Sequence, residues 1–284
     1  MHPRRRPEEP LAGIEAITFD FGNTLVPVDR AGLHRVVETT ARAMAARAGP
    51  FEVADVLRIW AEERERQFRE EVPAFREVDL AERVVRVLAR LRGMAAPPPD
   101  VRWNQEDAAQ RSSPDEVAWI VERYSRAFVD AMPPRDGVAG LLTTLARSYR
   151  LAIVSNWPLA ATVDRYADAA GWTPALTAIV VSQRVGVIKP HRAIFAAASA
   201  ALGDPEPWAI LHVGDDWNAD IAGPKAMGWR AAHVRARPED SPLPSSEPAA
   251  GVVADLELED VTALLRLLPG GPRDARRGRA RPVS

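Results

Sequence analysis

The stretch ITFDFGNTL, Ile17 to Leu25, decides how the rest of the chain is interpreted. Its apolar and β-branched residues run directly into Asp20, which is typical of a buried strand that carries a carboxylate at its C-terminal end. An aspartate in this position is as often a helix cap as a functional acid, so the segment alone leaves both interpretations open. Gly22, two residues beyond Asp20, has no side chain to offer at this point.

The composition bounds the class of protein. The chain has 284 residues, of which 46% are hydrophobic and 27% charged, as in ordinary globular proteins. Its net charge of −2 argues against a general nucleic-acid binder, and the lack of cysteine excludes disulfides, a thiolate nucleophile and sulfur-held zinc. No run approaches the ~18 apolar residues of a membrane span, and Glu8 and Glu9 stand where a signal peptide would be apolar. We therefore expect a cytoplasmic enzyme with neither nucleic-acid nor membrane partners.

Short apolar, β-rich runs alternate with helical patterns, above all in the second half of the chain. This alternation predicts an α/β fold with a three-layer, Rossmann-like parallel sheet. The predicted strands cover residues 14–21, 150–154, 177–181, 209–213 and 230–234, and the predicted helices between the later strands cover residues 138–148, 159–170, 192–202 and 218–227. A solvated loop over 237–251 and a closing helix over 260–268 complete this prediction.

Residues 29–134 contain helical patterns but no convincing strand. The clearest helix begins at SPDE, with Ser113 as N-cap, Pro114 at the first helical position and Glu116 completing a capping box. The polar, proline-containing stretch from residue 96 to residue 111 is interpreted as a loop.

The predicted organisation follows from these patterns. Residues 1–28 and 135–269 would form the α/β core, and residues 29–134 an all-helical cap domain inserted after the first strand. Residues 270–284, rich in arginine, would form a disordered tail.

Polar residues follow several of the predicted strands, at the end of a parallel sheet where ligands bind. They are Asp20 after the first strand, Ser155 and Asn156 after the second, Lys189 beyond the third, and Asp215, Asp216 and Asp220 after the fourth. Lys189 is the only lysine in the first 224 residues of a chain that otherwise uses arginine, which favours a specific role for it.

These segments resemble, in order and separation, the four motifs of the haloacid dehalogenase (HAD) superfamily. The segment DFGNT at Asp20 resembles the nucleophile motif, SN at Ser155 the second motif, and KP at Lys189 the third. GDDWNAD, starting at Gly214, fits the GDxxxxD pattern of the fourth motif. The resemblance covers roughly residues 14–268, although residues 29–134 match one subclass only in position and helical character.

The resemblance implies a hydrolase, most simply a phosphatase that acts on a small phosphorylated metabolite. Asp20 would attack phosphorus and form an aspartyl-phosphate. Mg²⁺, which prefers oxygen ligands, would be held by Asp20, the backbone carbonyl of Gly22 and Asp215. Asp220 is counted among the metal-site residues because it would orient either the ligands of the metal or Lys189.

The resemblance also implies roles around the phosphoryl group. Ser155 and the amides at the start of its helix would bind the oxygens of this group, and Lys189 would offset the charge that develops on them. Asn156, in the same motif as Ser155, is a further catalytic candidate. Ser155 and Asn156 could equally cap the next helix, and Asp216 could hold a metal-bound water or play no part in the site. Packing and structural roles are expected for the remaining aromatic and histidine residues near the motifs, which are Trp157, Trp217, His191 and His212.

Gly22 leaves three interpretations open. In phosphatases of this superfamily the residue two positions after the nucleophile is a second aspartate that serves as general acid and base. The chain could be a phosphatase that obtains this proton elsewhere, and replacing Gly22 by aspartate should then raise its activity. It could instead be a 2-haloacid dehalogenase-like hydrolase, which the acids of the fourth motif disfavour. It could also be a catalytically weakened protein that binds a phosphate ligand or docks a partner.

Overall fold

Because the strands run parallel, the C-terminal strand ends named above all lie on the same side of the sheet. The computed structural model describes residues 11–248 and 251–268, so the predicted tail over 270–284 lies outside the described residues. Within these described residues, six parallel strands lie in the order β3-β2-β1-β4-β5-β6. Their bounds are β1 Ala16–Phe19, β2 Arg150–Ser155, β3 Ala178–Val181, β4 Ile210–Gly214, β5 Arg230–Val234 and β6 Leu256–Leu258. The predicted parallel α/β sheet is confirmed.

Strand β1 is central because its residues are apolar or β-branched and buried on both faces. Ile17 pairs with Leu151 of β2 on one side and with Leu211 of β4 on the other. Two separate hydrophobic clusters cover the two faces of the sheet. The sheet and the helices on its two faces therefore form three layers. The C-terminal end of β1 lies in the middle of the row formed by the C-terminal ends of the strands.

Helices surround this sheet and fill the long connection after β1. Between β1 and β2 lie α1 Arg30–Arg47, α2 Val53–Glu71, α3 Leu80–Leu91, α4 Gln105–Ala109, α5 Pro114–Ala131 and α6 Val138–Leu145. The later helices are α7 Ala160–Ala169, α8 Ser182–Val185, α9 Arg192–Ala201, α10 Gly223–Ala226 and α11 Leu264–Leu267. Within the described residues no helix is both long and apolar enough to cross a membrane.

The start of α5 agrees with its sequence signature only in part. Ser113 is the N-cap, since its hydroxyl accepts a hydrogen bond from the amide of Glu116 at 3.1 Å, and Pro114 is the first helical residue. The carboxylate of Glu116 pairs with Arg92 at 2.8 Å. The prediction of a closed capping box is therefore wrong, because a long-range ion pair takes the glutamate.

Three other predictions differ from the structure, and one strand was not predicted. The loop predicted over 96–111 contains α4, which Asn104 caps by accepting from the amide of Glu106 at 3.1 Å. Strand β6 was not predicted, because its three residues carry only a weak pattern. The helix predicted over 218–227 begins as a π-helical segment, Trp217–Ala222, before α10, and the helix predicted over 260–268 is a 3₁₀ turn, Val261–Ala263, followed by α11.

Candidate active site

The sequence-predicted residues meet around one cavity at the C-terminal edge of the sheet. Asp20 follows β1, Ser155 ends β2 and Asp215 follows β4, so neighbouring strands deliver them to the same place. The cavity has a volume of about 320 Å³ and is also lined by Lys189 and Asp220. Residues of α2, α3 and α5 cover its other side.

Lys189 is the most strongly held of these side chains. It is only 2% exposed, and its ammonium group donates to Asp20 Oδ1, Asp220 Oδ1 and the carbonyl of Val154, each at 2.7 Å. An ammonium group has three donors, so all of them are used within the protein. Lys189 therefore neutralises charge in the site and fixes the position of the Asp20 carboxylate.

Asn156 holds the backbone of Lys189 rather than facing the cavity with a free amide. Its Oδ1 accepts from the amide of Lys189 at 2.6 Å, and its Nδ2 donates to the carbonyl of Lys189 at 3.0 Å. This pair of hydrogen bonds ties the end of β2 to the segment after β3. The geometry makes Asn156 a positioning residue, and it caps no helix, since α7 begins at Ala160 without a side-chain cap.

Asp220 lies at the centre of a buried network. Its carboxylate accepts from Lys189, from the amide of Asp216 at 3.0 Å, and interacts with His212 Nε2 at 3.1 Å. The other ring nitrogen of His212 lies 2.7 Å from the hydroxyl of Thr18, which agrees with a structural role for this histidine. A Cβ atom at residue 214 would lie 2.3 Å from the Asp220 carboxyl carbon, so only glycine permits this close approach.

Three carboxylates converge as a divalent cation would require. One oxygen from each of Asp20, Asp215 and Asp220 lies within 4.8 Å of the others. Asp215 is also held by Arg237 at 2.8 Å and by the side-chain amide of Asn23 at 3.3 Å. An all-oxygen set with this much negative charge suits a hard cation such as Mg²⁺. The residues present therefore fit the metal that the motifs imply.

Burial and mutual repulsion perturb the acids of this site. Burial raises the pKa of Asp20 to about 6, against the attraction of the Lys189 charge. Burial, together with the charges of Asp20 and Asp220, raises the pKa of Asp215 to about 8. Burial would also raise the pKa of Asp220, but Lys189 and His212 lower it below its ordinary value. The site thus holds more negative charge than Lys189 balances.

We expect Mg²⁺ to raise the midpoint temperature of thermal unfolding more at about pH 8 than at about pH 6, the pKa values of Asp215 and Asp20. Both values exceed the unfolded value of 3.8, so in this range the folded protein holds protons that the unfolded chain has lost. Without a cation, stability is consequently lost as pH rises from about 4 to about 8. A bound cation replaces those protons.

The measurement for this prediction is thermal unfolding in EDTA and in Mg²⁺ at both pH values. Asp215→Asn is the informative variant, since it removes the acid that titrates latest and should reduce the pH dependence of the Mg²⁺ effect. An Mg²⁺ effect of equal size at both pH values would contradict the prediction.

Ser155 offers a free hydroxyl beside Asp20. The residue is 1% exposed, and its Oγ makes no geometrically acceptable hydrogen bond with any described residue, although it lies near enough to Asp20 to favour the charged carboxylate. Buried hydroxyl groups normally have partners. An unpartnered hydroxyl on the cavity wall is suited to a ligand oxygen.

The space above Gly22 is occupied. A Cβ atom at Gly22 would lie 2.7 Å from Leu243 Cδ1 and 3.2 Å from Trp157 Cζ3. Trp157 itself packs edge-to-face against Phe21 and Phe128, with ring centroids 5.1 and 5.0 Å away, which agrees with a packing role. The side chain that a second aspartate would place here has been replaced by apolar contacts.

The segment 237–248, predicted as a solvated loop, lies instead over the site. Arg237 binds Asp215, and Leu243 covers Gly22. The hydroxyl of Ser246 donates to Asp216 Oδ1 at 2.9 Å, so Asp216 is engaged by this segment. The sequence carries no periodicity or motif here, so these contacts could not have been found from it. Trp217 packs against His233 with ring centroids 5.3 Å apart.

Comparison with known families agrees with this geometry. A family model described as hydrolase, haloacid dehalogenase-like hydrolase, matches residues 14–228. The chain therefore belongs to this family, the haloacid dehalogenase-like hydrolases of the HAD superfamily.

One curated relative aligns with part of the chain. The pyrimidine 5′-nucleotidase YjjG of Escherichia coli is 31% identical over 125 residues, which are 41% of this chain and 55% of that protein. The chain thus aligns with about half the length of this curated relative.

Solved structures show the same fold. The magnesium-bound putative HAD-hydrolase YfnB of Bacillus subtilis has a TM-score of 0.58 at 18% identity, over 90% of this chain and 98% of that one. The 2-haloacid dehalogenase of Pseudomonas syringae pv. Tomato has a TM-score of 0.59 at 20% identity, over the same shares of the two chains. A HAD phosphatase of Thermococcus onnurineus has a TM-score of 0.57 at 17% identity, over 91% of this chain and 99% of that one. At such low identity these likenesses concern the fold alone.

Proposed function

We propose that the protein is a Mg²⁺-dependent phosphatase that hydrolyses a small phosphorylated metabolite through an aspartyl-phosphate on Asp20. The observation that carries this proposal is the meeting of three carboxylates, from Asp20, Asp215 and Asp220, with the buried ammonium group of Lys189. A dehalogenase acting on a carboxylate substrate has no use for this excess of negative charge, whereas a metal-dependent phosphatase does.

Each residue has a defined part in the proposed reaction. Asp20 Oδ attacks phosphorus, the bond between phosphorus and the leaving oxygen breaks, and the leaving group departs as an anion or takes a proton from water, because residue 22 has no carboxylate to donate one. Water then attacks phosphorus, the bond to Asp20 Oδ breaks, and inorganic phosphate leaves with the free carboxylate restored. Asp20, the carbonyl of Gly22 and Asp215 would hold Mg²⁺, which when bound offsets the charge of the phosphoryl oxygens. The hydroxyl of Ser155 donates to one of those oxygens.

Lys189 and its neighbours act by position and charge. Because all three ammonium protons are engaged by the protein, Lys189 balances charge at Asp20 without donating to the substrate in this arrangement. Asp220 and Asn156 keep Lys189 in place. The resemblance implied that Lys189 offsets charge on the phosphoryl oxygens, and we propose that it does so through its contact with Asp20.

The proposal extends to organisation and location. Residues 29–134 would serve as a cap over a core made of residues 1–28 and 135–269, so that its cavity-lining side chains choose the substrate. The protein would act in the cytoplasm on a small molecule, without nucleic-acid or membrane partners.

The test is a comparison of substrates in Mg²⁺ and in EDTA. We expect phosphate release from p-nitrophenyl phosphate and acetyl phosphate that depends on Mg²⁺, and no chloride release from 2-chloropropionate. Uridine monophosphate is a further probe because of the aligned nucleotidase. Chloride release that EDTA leaves unchanged would instead support a dehalogenase, which Gly22 favours, and no turnover at all would support a ligand-binding or docking protein.

A further inference from the structure

The cavity has charges of opposite sign on its two sides. The sheet side carries the acids of the candidate active site together with Lys189, whereas the side formed by α2, α3 and α5 presents Arg64, Arg83 and Tyr124. Between them lie apolar and aromatic residues, among them Phe68 and Phe75. A ligand that fills this space meets cations at both ends if a metal occupies the acids.

Arg83 is the more buried of the two arginines that line this cavity. It is only 3% exposed, and its Nε donates to Gln67 Oε1 at 2.9 Å. Gln67 is fully buried and is anchored in turn, since its Nε2 donates to the carbonyl of Asp79 at 2.9 Å. The guanidinium carbon lies 5.8 Å from the ring centre of Trp60. These contacts hold the guanidinium in one orientation before any ligand arrives.

The Nη groups of Arg83 have no partner among the described residues. No carboxylate lies within ion-pair distance of Arg83 there, whereas the neighbouring Arg86 and Arg90 of α3 pair with Glu70 at 2.9 Å and with Glu63 at 3.0 Å. A buried charge without a partner is costly, and such groups are normally paired. Burial lowers the pKa of Arg83 to about 10, so it remains charged at neutral pH.

Glu77 and Asp79 lie near enough to favour the charged form of Arg83, but neither forms an ion pair with it within the described residues. Asp79 is engaged by the amide of Ala81 at 2.7 Å and by Gln183 at 2.9 Å. Glu77 lines the same cavity, but its carboxylate is occupied by the hydroxyl of Ser182 and by the amide of Val78 at 2.8 Å. Tyr124 and Arg64 are close enough to Arg83 to influence its charge, and Arg64 donates to the carbonyl of Pro242 at 3.1 Å. One more cation and one hydroxyl group therefore stand beside the free Nη groups.

We propose that Arg83, with Arg64 and Tyr124 beside it, binds a second anionic group of the substrate, a carboxylate or a second phosphate, distinct from the phosphoryl group that Asp20 attacks. A guanidinium with two free Nη groups matches the paired oxygens of either group. The inference rests on the proposed phosphatase function for the identity of the substrate, but its test is a binding measurement that needs no turnover.

The test uses three probes of matched shape and the full-length Asp20→Asn variant, in which turnover is blocked. Calorimetric titration in Mg²⁺ compares phenyl phosphate with 4-carboxyphenyl phosphate and 1,4-phenylene bisphosphate, which separate the two kinds of second anion. We expect at least one of the doubly anionic probes to bind about tenfold more tightly than phenyl phosphate. Adding Arg83→Met should remove this preference, while Arg123→Met, a change on the exposed face of α5, should keep it.

Two results would overturn the inference: equal affinity for all three probes, or a preference that survives Arg83→Met. If Arg83→Met does not fold, Arg83→Lys serves in its place, since it keeps the buried charge but lacks the two-nitrogen fork and should reduce the preference to about threefold or less. An undiminished preference in Arg83→Lys would then count against the inference. A protein that shows the preference but hydrolyses no phosphate ester would refute the phosphatase proposal alone, and one that hydrolyses esters without the preference would refute this inference alone.

Discussion

Replacing Asp20 with asparagine is expected to lower Mg²⁺-dependent phosphate release by at least about 10³-fold, as is usual when a covalent nucleophile is removed. The amide has nearly the same shape as the carboxylate but is neutral and a poor nucleophile. The rate constant for p-nitrophenyl phosphate, measured on enzyme purified free of host phosphatases, tests this expectation. A rate within tenfold of the wild type would reject Asp20 as the nucleophile.

This loss should not reflect unfolding. Lys189 keeps Asp220 and the carbonyl of Val154 when Asp20 becomes neutral. Burial raises the pKa of Asp20 to about 6, so above that pH the folded protein carries a buried charge that destabilises it relative to the unfolded chain. The thermal midpoint of Asp20→Asn in EDTA at alkaline pH should therefore be at least that of the wild type. Asp130→Asn, at an exposed position in the last turn of α5, is the matched control and should keep full activity.

Restoring the second carboxylate should increase activity only when room is made for it. We expect Gly22→Asp combined with Leu243→Ala to raise the hydrolysis rate by about 10²-fold, the lower end of the usual contribution of general acid–base catalysis. The reason is steric, because the Cβ of the new aspartate would otherwise lie 2.7 Å from Leu243 Cδ1. The gain should be larger for phenyl phosphate than for p-nitrophenyl phosphate, since the poorer leaving group depends more on a proton donor.

The single variants separate the two effects. Gly22→Asp alone should give little or no gain, because the Leu243 side chain occupies the space that the new side chain needs. Leu243→Ala alone should leave the rate close to that of the wild type, because it adds no acid. No gain in the double variant, with either leaving group, would mean that another group already supplies the proton or that the pocket is organised for different chemistry. The sequence alone predicted a gain from Gly22→Asp; the structure adds the condition that Leu243 be shortened.

Much of the fold could be predicted from local patterns. The apolar run before Asp20 predicted a buried strand, and the alternation of strands and helices predicted the parallel sheet, because burial on both faces demands continuous apolar segments. The Ser113 cap and Pro114 correctly predicted where α5 begins. The short strand β6 and the π-helical segment at Trp217 were missed, since a few residues carry too little periodicity to identify them.

The sequence by itself determined which chemical groups stand at the strand ends, because topology brings the C-terminal ends of parallel strands to one edge. Only the tertiary structure decided how those groups share their hydrogen bonds. Lys189 binds Asp20 from 169 positions away, Leu243 covers Gly22 from the far end of the chain, and Arg83 forms no ion pair with any acid in the described part of the chain. Such contacts depend on where distant segments come to rest in space, and no local pattern of apolar residues encodes that position.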